Sequence, residues 1–335
     1  MVASWRPRVS VVIPVLDEER YLRRCLASVA AQTYPGELIE VIVADGRSSD
    51  ATHDIVRAVA SDDPRIRLVD NPRRTQAAGL NVAIAASSGE VIARLDGHAA
   101  WSPQHIERCV EILERTGADN VGGTMAMVGE GAVGTAFALA TRSRFGVGGA
   151  TYRYAERECE VDTVWLGCFR RTALDRVGPF DERFPPHEDY ELNHRLRTSG
   201  GRIVFSPAIP TTYWPRTSWR AIGRQYFRYG RGKVRVARHH PGVVRPHHLA
   251  PPTLVAGCAV AAAASLHSHR GRALTVGLAA AYAAQCVVAA HRVSRGTVAP
   301  VRRRVPLVLG LLHLAWGTGF WAGVAETLLP ARRRS

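Results

Sequence analysis

Three clusters of acids are the residues in this chain best suited to chemistry: Asp45-Gly46-Arg47-Ser48-Ser49-Asp50, Asp96-Gly97-His98 and His187-Glu188-Asp189-Tyr190. A carboxylate can accept a ring N–H, an Asp with a His can hold a divalent cation, and a carboxylate beside a hydroxyl can take its proton as a bond forms. Each cluster also has a plainer reading. Asp is a common turn former at strand ends, and a lone His after a strand is more often structural than a ligand. Glu188 and Asp189 can equally be first-turn acids of a helix running through Leu192 and Leu196, where carboxylates favour the helix dipole. Asp45 and Asp96 are harder to explain as two independent turns than as one pair.

The elements that must position these residues are legible as alternating strands and helices. Val9-Ser10-Val11-Val12-Ile13-Pro14-Val15 is a β-branched run without polar alternation, as expected of a strand buried on both faces of a parallel sheet. Residues 18–32 follow with Leu22, Leu26 and Val29 at helical spacing, and 39–44 read as a second strand. Strand, helix and strand within about thirty-five residues make a βαβ unit. The alternation continues as helix 51–60, strand 66–69, helix 76–86 and strand 91–95. Such an α/β, Rossmann-like sheet, mostly parallel with flanking helices, binds ligands beyond the C-terminal ends of its strands, where Asp45 and Asp96 fall.

Charge and hydropathy divide the chain. Residues 1–191 carry 28 acids and 22 bases, whereas residues 192–335 carry 22 bases and one acid, Glu326, within a net charge of +15. The second part therefore suits an anionic partner such as a membrane surface or phosphates. Lys233 stands against 43 arginines in an Ala- and Gly-rich chain, which points to a GC-rich bacterial genome. Six cysteines without CxxC or zinc spacing indicate neither disulfides nor a metal knuckle, and fit a reducing compartment. The start has no signal-peptide core.

Beyond Pro252 lie apolar stretches at 253–266, 273–290 and 305–329. Against the ~20 residues a crossing needs, the last is long enough, the second close and the first short. A single full-length span argues against self-contained polymer export. By the positive-inside rule Arg292, Arg295, Arg302, Arg303 and Arg304 mark a cytosolic loop, but Arg332, Arg333 and Arg334 would then lie outside. A shallow hairpin of the first two stretches would remove the conflict. An Ala-rich helical cap on a soluble domain is the other reading.

Together the motifs resemble family 2, GT-A fold glycosyltransferases over about residues 9–233. The opening strand through Asp17-Glu18 resembles the family's first strand, Asp45-x-x-Ser48-x-Asp50 its uridine-binding turn, and Asp96-x-His98 a variant of its DxD motif, with His98 where the family carries a carboxylate. Trp165 to Arg171, Gly178-Pro179-Phe180-Asp181-Glu182 and Glu188-Asp189 resemble the acceptor half, and Gln225-Tyr226-Phe227-Arg228-Tyr229 the Q-x-x-R-W element of membrane-bound members. The overall arrangement is most similar to succinoglycan-type exopolysaccharide glycosyltransferases.

The resemblance implies a GT-A domain over residues 1–240 and a C-terminal hydrophobic, membrane-associated helical region over 251–335. It implies an inverting transfer from a nucleotide sugar, a UDP-sugar, to a lipid-linked saccharide in exopolysaccharide or cell-wall glycan assembly. Asp189 would be the base with Glu188 in support, and Asp96 with His98 would hold Mn²⁺ or Mg²⁺. Pro14, Asp17, Glu18, Asp45, Asp50 and Asp96 would line the nucleotide, with Gln225, Arg228 and Tyr229 toward its pyrophosphate. The catalytic part would face the cytoplasm of a bacterial cell membrane. A polyprenyl-phosphate sugar synthase and a non-catalytic membrane scaffold that binds sugar nucleotides or anionic lipid remain the alternatives. No groove-reading motif supports nucleic-acid binding.

Overall fold

Val9–Val15 is buried at every position and forms the first strand, β1, of the computed structural model, which describes residues 5–215 and 217–328. The chain continues as α1 (Leu22–Ala30), β2 (Ile39–Asp45), α2 (Thr52–Asp62), β3 (Ile66–Asp70), α3 (Gln76–Ala85), β4 (Val91–Arg94) and β5 (Ala99–Trp101). Then come α4 (His105–Thr116), β6 (Asn120–Met127), α5 (Gly131–Ala140), α6 (Arg144–Val147), β7 (Cys159–Glu160), β8 (Cys168–Arg170), α7 (Arg171–Val177), α8 (Glu188–Thr198) and β9 (Ile203–Tyr213). Helices α9 (Trp219–His239), α10 (Pro246–Ser265), α11 (His269–Val293), α12 (Ala299–Arg302) and α13 (Val305–Leu328) follow. Leu329, Arg332, Arg333 and Arg334, on which part of the span and charge reading rests, lie outside the described residues.

Among the described residues nine strands form one sheet in the order β3-β2-β1-β4-β8-β6-β9-β5, with β7 on β9. It is parallel through β3-β2-β1-β4, as the βαβ pattern requires, and β6 also runs parallel to β9; β8, β5 and β7 run antiparallel to their neighbours. Order reverses between β1 and β4, so their C-terminal ends open the crevice in which α/β sheets bind ligands. The register sets Val15 beside Asp45 and Val12 beside Arg94. Because β4 pairs β1 only through Val12, the missing N–H of Pro14 falls past its end and costs no ladder bond there. Pro14 is thus an interior strand residue, buried against Gly79 of α3, where an added Cβ would come within 3.0 Å of its own.

Two compact units emerge, Met1–Met127 with Thr151–Trp214, and Val128–Ala150 with Pro215–Ser335. This grouping differs from a division at 240/251. α9 packs along α13, and the apolar α5 packs on α12 and α13, so all of these group with the C-terminal helices. α10 begins at Pro246, well before the expected start of its apolar run. A proline at the first helical position loses no helical bond, and His248 Nδ1 accepts the Arg245 backbone N–H at 2.9 Å. Among the described residues three helices, not one, are long and apolar enough to cross a membrane. All six cysteines are free.

One buried acid ties the sheet together away from the crevice. Glu40 Oε1 accepts from Ser10 Oγ at 2.6 Å, Ser88 N at 2.5 Å and Gly89 N at 3.0 Å. Burial alone would raise its pKa, yet these bonds hold it below the ordinary 4.5. Its stabilisation is therefore complete at neutral pH and is lost as pH falls through the depressed value. Glu40→Ala should destabilise the protein by about 2–3 kcal/mol at pH 7 by stranding buried donors. Melting curves of variant and wild type should converge on acidification below about pH 4.

Candidate active site

Strand ends, a crossed pair of loops and the first turn of α8 build the site. After β1, Asp17 takes a left-handed conformation with φ of 55°. Its loop is laced to the loop after β2: Asp17 N donates to Ser48 Oγ at 2.9 Å, Glu18 N to Thr52 Oγ1 at 2.7 Å and Glu19 N to Asp50 Oδ2 at 3.0 Å. In return Ser49 N donates to Asp17 Oδ1 at 2.7 Å and Ala51 N to Glu19 Oε2 at 3.1 Å. Asp45 accepts from Ser48 N at 3.1 Å and Ser48 Oγ at 2.6 Å, and its other oxygen lies 3.2 Å from His53 Nδ1. Asp50, which burial alone would raise, is held below its ordinary pKa by Thr52 and Glu19. Asp17, Asp45 and Asp50 therefore organise this rim themselves, as the turn-former reading anticipated for Asp45.

Across the switch point, β4 ends in Arg94, buried to 3% side-chain exposure. Its Nε donates to Asp96 Oδ1 at 3.1 Å, its Nη1 forms a short ion pair with Asp189 Oδ1, and its Nη2 lies 3.8 Å from Glu188 Oε1. One guanidinium so gathers three of the acids singled out by sequence from positions about ninety-five residues apart. Burial would push Arg94 down, and the charges of Asp189, Asp96 and Glu188 more than reverse this. Gln76 Nε2 adds a bond to Asp96 Oδ1 at 3.1 Å, leaving Oδ2 outside any hydrogen bond among the described residues.

Glu188 and Asp189 do open α8, as the first-turn reading held, and tertiary partners fix that helix. Leu192 and Leu196 are buried, Arg195 binds Glu191 at 2.8 Å and Pro179 O at 2.7 Å, and Asn193 joins Asn120 to Thr163 with bonds of 2.8 Å. The two acids differ in access. Glu188 is buried, its Oε2 has no hydrogen-bond partner, and burial, then the charge of Asp189, push its carboxyl up to about 7 against the pull of Arg94. Asp189 keeps a side-chain exposure of 23%. Burial also raises its pKa, with Asp96 adding and Arg94 opposing.

His98 Nδ1 lies 2.7 Å from Glu18 Oε1, so the Glu18 carboxylate serves the imidazole rather than standing free. A carboxylate set against Nδ1 is the carboxylate–histidine pairing found behind metal ligands. No group of three or more His, Cys, Asp or Glu able to hold a metal occurs among the described residues. Asp96 and His98 are the two residues here that could hold a cation, one that completes its shell with substrate phosphates and water.

Gln225, Arg228 and Tyr229 belong to the second unit, on α9. Gln225 Nε2 donates to Tyr229 OH at 2.8 Å, and Arg228 is exposed. Sequence reasoning missed Arg94, Gln76 and the lacing hydroxyls of Ser48, Ser49 and Thr52. Arg94 had a signal: it is the one charge in Val91-Ile92-Ala93-Arg94, a strand buried at every residue, and a buried charge demands a counter-charge.

Known proteins resemble the chain in sequence and in fold. The sequence model of Glycosyl transferase family 2 matches residues 10–178. The succinoglycan biosynthesis protein ExoA of Rhizobium meliloti is 31% identical over 97% of this chain and 96% of its own length. Glycosyltransferase AglE of Haloferax volcanii is 30% identical over 70% of this chain and 76% of its own. Among solved structures, the mannosyltransferase PcManGT of Pyrobaculum calidifontis, in complex with GDP-Man and Mn²⁺, superposes with a TM-score of 0.64 at 23% identity over 95% of this chain and 88% of that one.

Two outcomes follow from the cluster. Arg94→Ala leaves three carboxylates without their cation and should cost about 3–5 kcal/mol, partly recovered at lower pH as they protonate, in thermal melts of the solubilised protein. Because the Glu188 pKa is raised, the folded state binds more protons than the unfolded one between about pH 4.5 and 7, so stability falls as pH rises through that window. Glu188→Gln should flatten this fall; an unchanged slope would remove the assignment.

Proposed function

The chain belongs to glycosyl transferase family 2, and on that premise we propose that it transfers a glycosyl group from a nucleotide-diphosphate sugar, a UDP-sugar, to a hydroxyl of a lipid-linked saccharide, with inversion at the anomeric carbon. The setting is polysaccharide assembly at a bacterial membrane, with the catalytic unit on the cytoplasmic side. The observation that carries the reading is the convergence of Asp96, Glu188 and Asp189 on Arg94 at the C-terminal edge of the parallel strands.

Asp189 is the base. As the acceptor oxygen attacks the anomeric carbon, its proton passes to Asp189, and the bond from that carbon to the leaving phosphate oxygen breaks with its electron pair on the nucleoside diphosphate. Arg94 holds one Asp189 oxygen and leaves the other available, fixing the carboxylate's direction and opposing the rise in pKa that burial causes. Glu188, buried behind it, sets the charge of the cluster. Asp96 and His98 would hold Mn²⁺ or Mg²⁺, which when bound neutralises charge on the departing diphosphate. PcManGT, solved with GDP-Man and Mn²⁺, and TarS of S. aureus, solved with UDP at a TM-score of 0.53, support a nucleotide-sugar donor and a divalent cation. The laced loops carrying Asp17, Asp45 and Asp50 supply the wall for the nucleoside.

Asp189→Asn should slow single-turnover transfer by roughly 10²–10⁴-fold while nucleotide-sugar binding stays near normal. Near-normal transfer, or loss of binding equal to loss of rate, would remove Asp189 from the role. Chelation should abolish transfer and Mn²⁺ restore it at least as well as Mg²⁺, because imidazole suits Mn²⁺ better; full activity in chelator would overturn the metal assignment.

A further inference from the structure

We propose that α10 and α11 cross the bilayer as a hairpin, whereas α13 lies in the membrane interface alongside α9. Mean hydropathy does not separate them, at 1.3 for α10, 1.7 for α11 and 1.5 for Ala299–Leu328, the run that contains α13, over their best windows. Their surfaces do. α10 is buried only at Pro252 and Ala261, and α11 only at Gly271, Cys286 and Ala290, so away from the sides that meet α13 both present apolar residues to the outside. A helix apolar on every side is what hydrocarbon accepts. The two pack on each other, as hairpin arms must, and each also meets α13, through Pro252 O accepting from Trp321 Nε1 at 2.8 Å and Tyr282 OH lying 2.8 Å from His313 Nδ1.

The exposed large apolar residues of α13 are Leu307, Leu314, Trp321 and Leu328. Seven residues are close to two helical turns, so these four lie in one row. The rest of the helix is committed to protein: Val305, Val308, Leu309 and Leu312 are buried, and α9 approaches it backbone to backbone. A Cβ on Gly230 would lie 1.9 Å from Trp316 O, one on Gly319 2.0 Å from Phe227 O, and one on Gly323 2.9 Å from Arg231 O. Gly223 meets Leu311 and Val234 meets Gly323, so α9 and α13 run in the same direction.

This contact fixes the depth available to α13. Arg224, Arg228 and Arg231 of α9 ride beside residues 311–326, and Arg224 and Arg228 are exposed. The only acid after residue 191, Glu326, is paired with Arg231 at 2.6 Å. Were α13 to cross the bilayer, it would carry Arg224 and Arg228 to membrane depth with no acid to meet them, at a high cost. In the interface the same arginines meet anionic headgroups while the Leu307-to-Leu328 row dips among the acyl chains. Trp219, exposed at the start of α9, and Trp321 within the row are the residue type that favours that boundary. Two crossings also return the chain after α11 to the side it left, so both ends of α13 share the face that carries Arg292, Arg295, Arg302, Arg303 and Arg304.

Single-cysteine labelling of the full-length protein tests the topology. In a background with exposed Cys159 and Cys258 replaced by serine, Leu266→Cys, Val298→Cys and Glu326→Cys are treated with a membrane-impermeant maleimide in right-side-out and inside-out vesicles. Val298→Cys and Glu326→Cys should label from the same face and Leu266→Cys from the opposite one. Labelling of Val298→Cys and Glu326→Cys from opposite faces, the result of three spans, overturns the proposal. So does labelling of all three from one face, the result of a hairpin that does not cross.

Discussion

Asp96, Glu188 and Asp189 meet in a setting too buried for three carboxylates to be charged together, and one guanidinium makes the meeting possible. Arg94 faces all three from the end of β4, itself almost without exposure. Removing a single cation from such a group leaves uncompensated charge where solvation is poor, which is why a buried network is sensitive to any missing member. The remaining design can be read as what is needed to deliver these groups to one point. β1 and β4 place Arg94 and Asp96 at the crevice, while Arg195 and Asn193 fix α8 so that its first turn arrives opposite.

The site is asymmetric because burial is. Glu188 has an unpartnered buried oxygen and a pKa raised to about 7, whereas the Asp189 side chain remains partly exposed. Two adjacent acids so acquire different surroundings, one sealed from solvent and one partly open to it. On the other wall of the crevice, Glu18 spends its charge on orienting His98, and Asp17 and Asp50 on holding two loops in register. Asp17, Asp45 and Asp50 so act together as a stiff rim.

Much of this was legible in the sequence where the signal was local. The βαβ alternation gave the parallel core to within a few residues, because apolar runs of seven buried residues such as Val9–Val15 have few other fates. The positions of Asp45, Asp96 and Asp189 followed from strand ends and motif spacing. What was not legible depended on partners far apart in the chain. Arg94 and Asp189 are 95 residues apart, and nothing near Arg94 announces its partner. Glu18 read as a nucleotide contact because its neighbour in space, His98, is 80 residues on. α10 was read as too short because two prolines inside it resembled a boundary, although the helix starts before them and continues through.

The central claim is that Arg94 and Asp189 act as one unit in the transfer step. A double-mutant cycle of Arg94→Gln and Asp189→Asn, read as single-turnover rates with donor saturating, tests it most directly. Strong coupling is predicted, with the double variant no slower than the slower single one, because either change alone already disables the oriented base. Losses that simply multiply would show that the two residues act independently and would contradict the account.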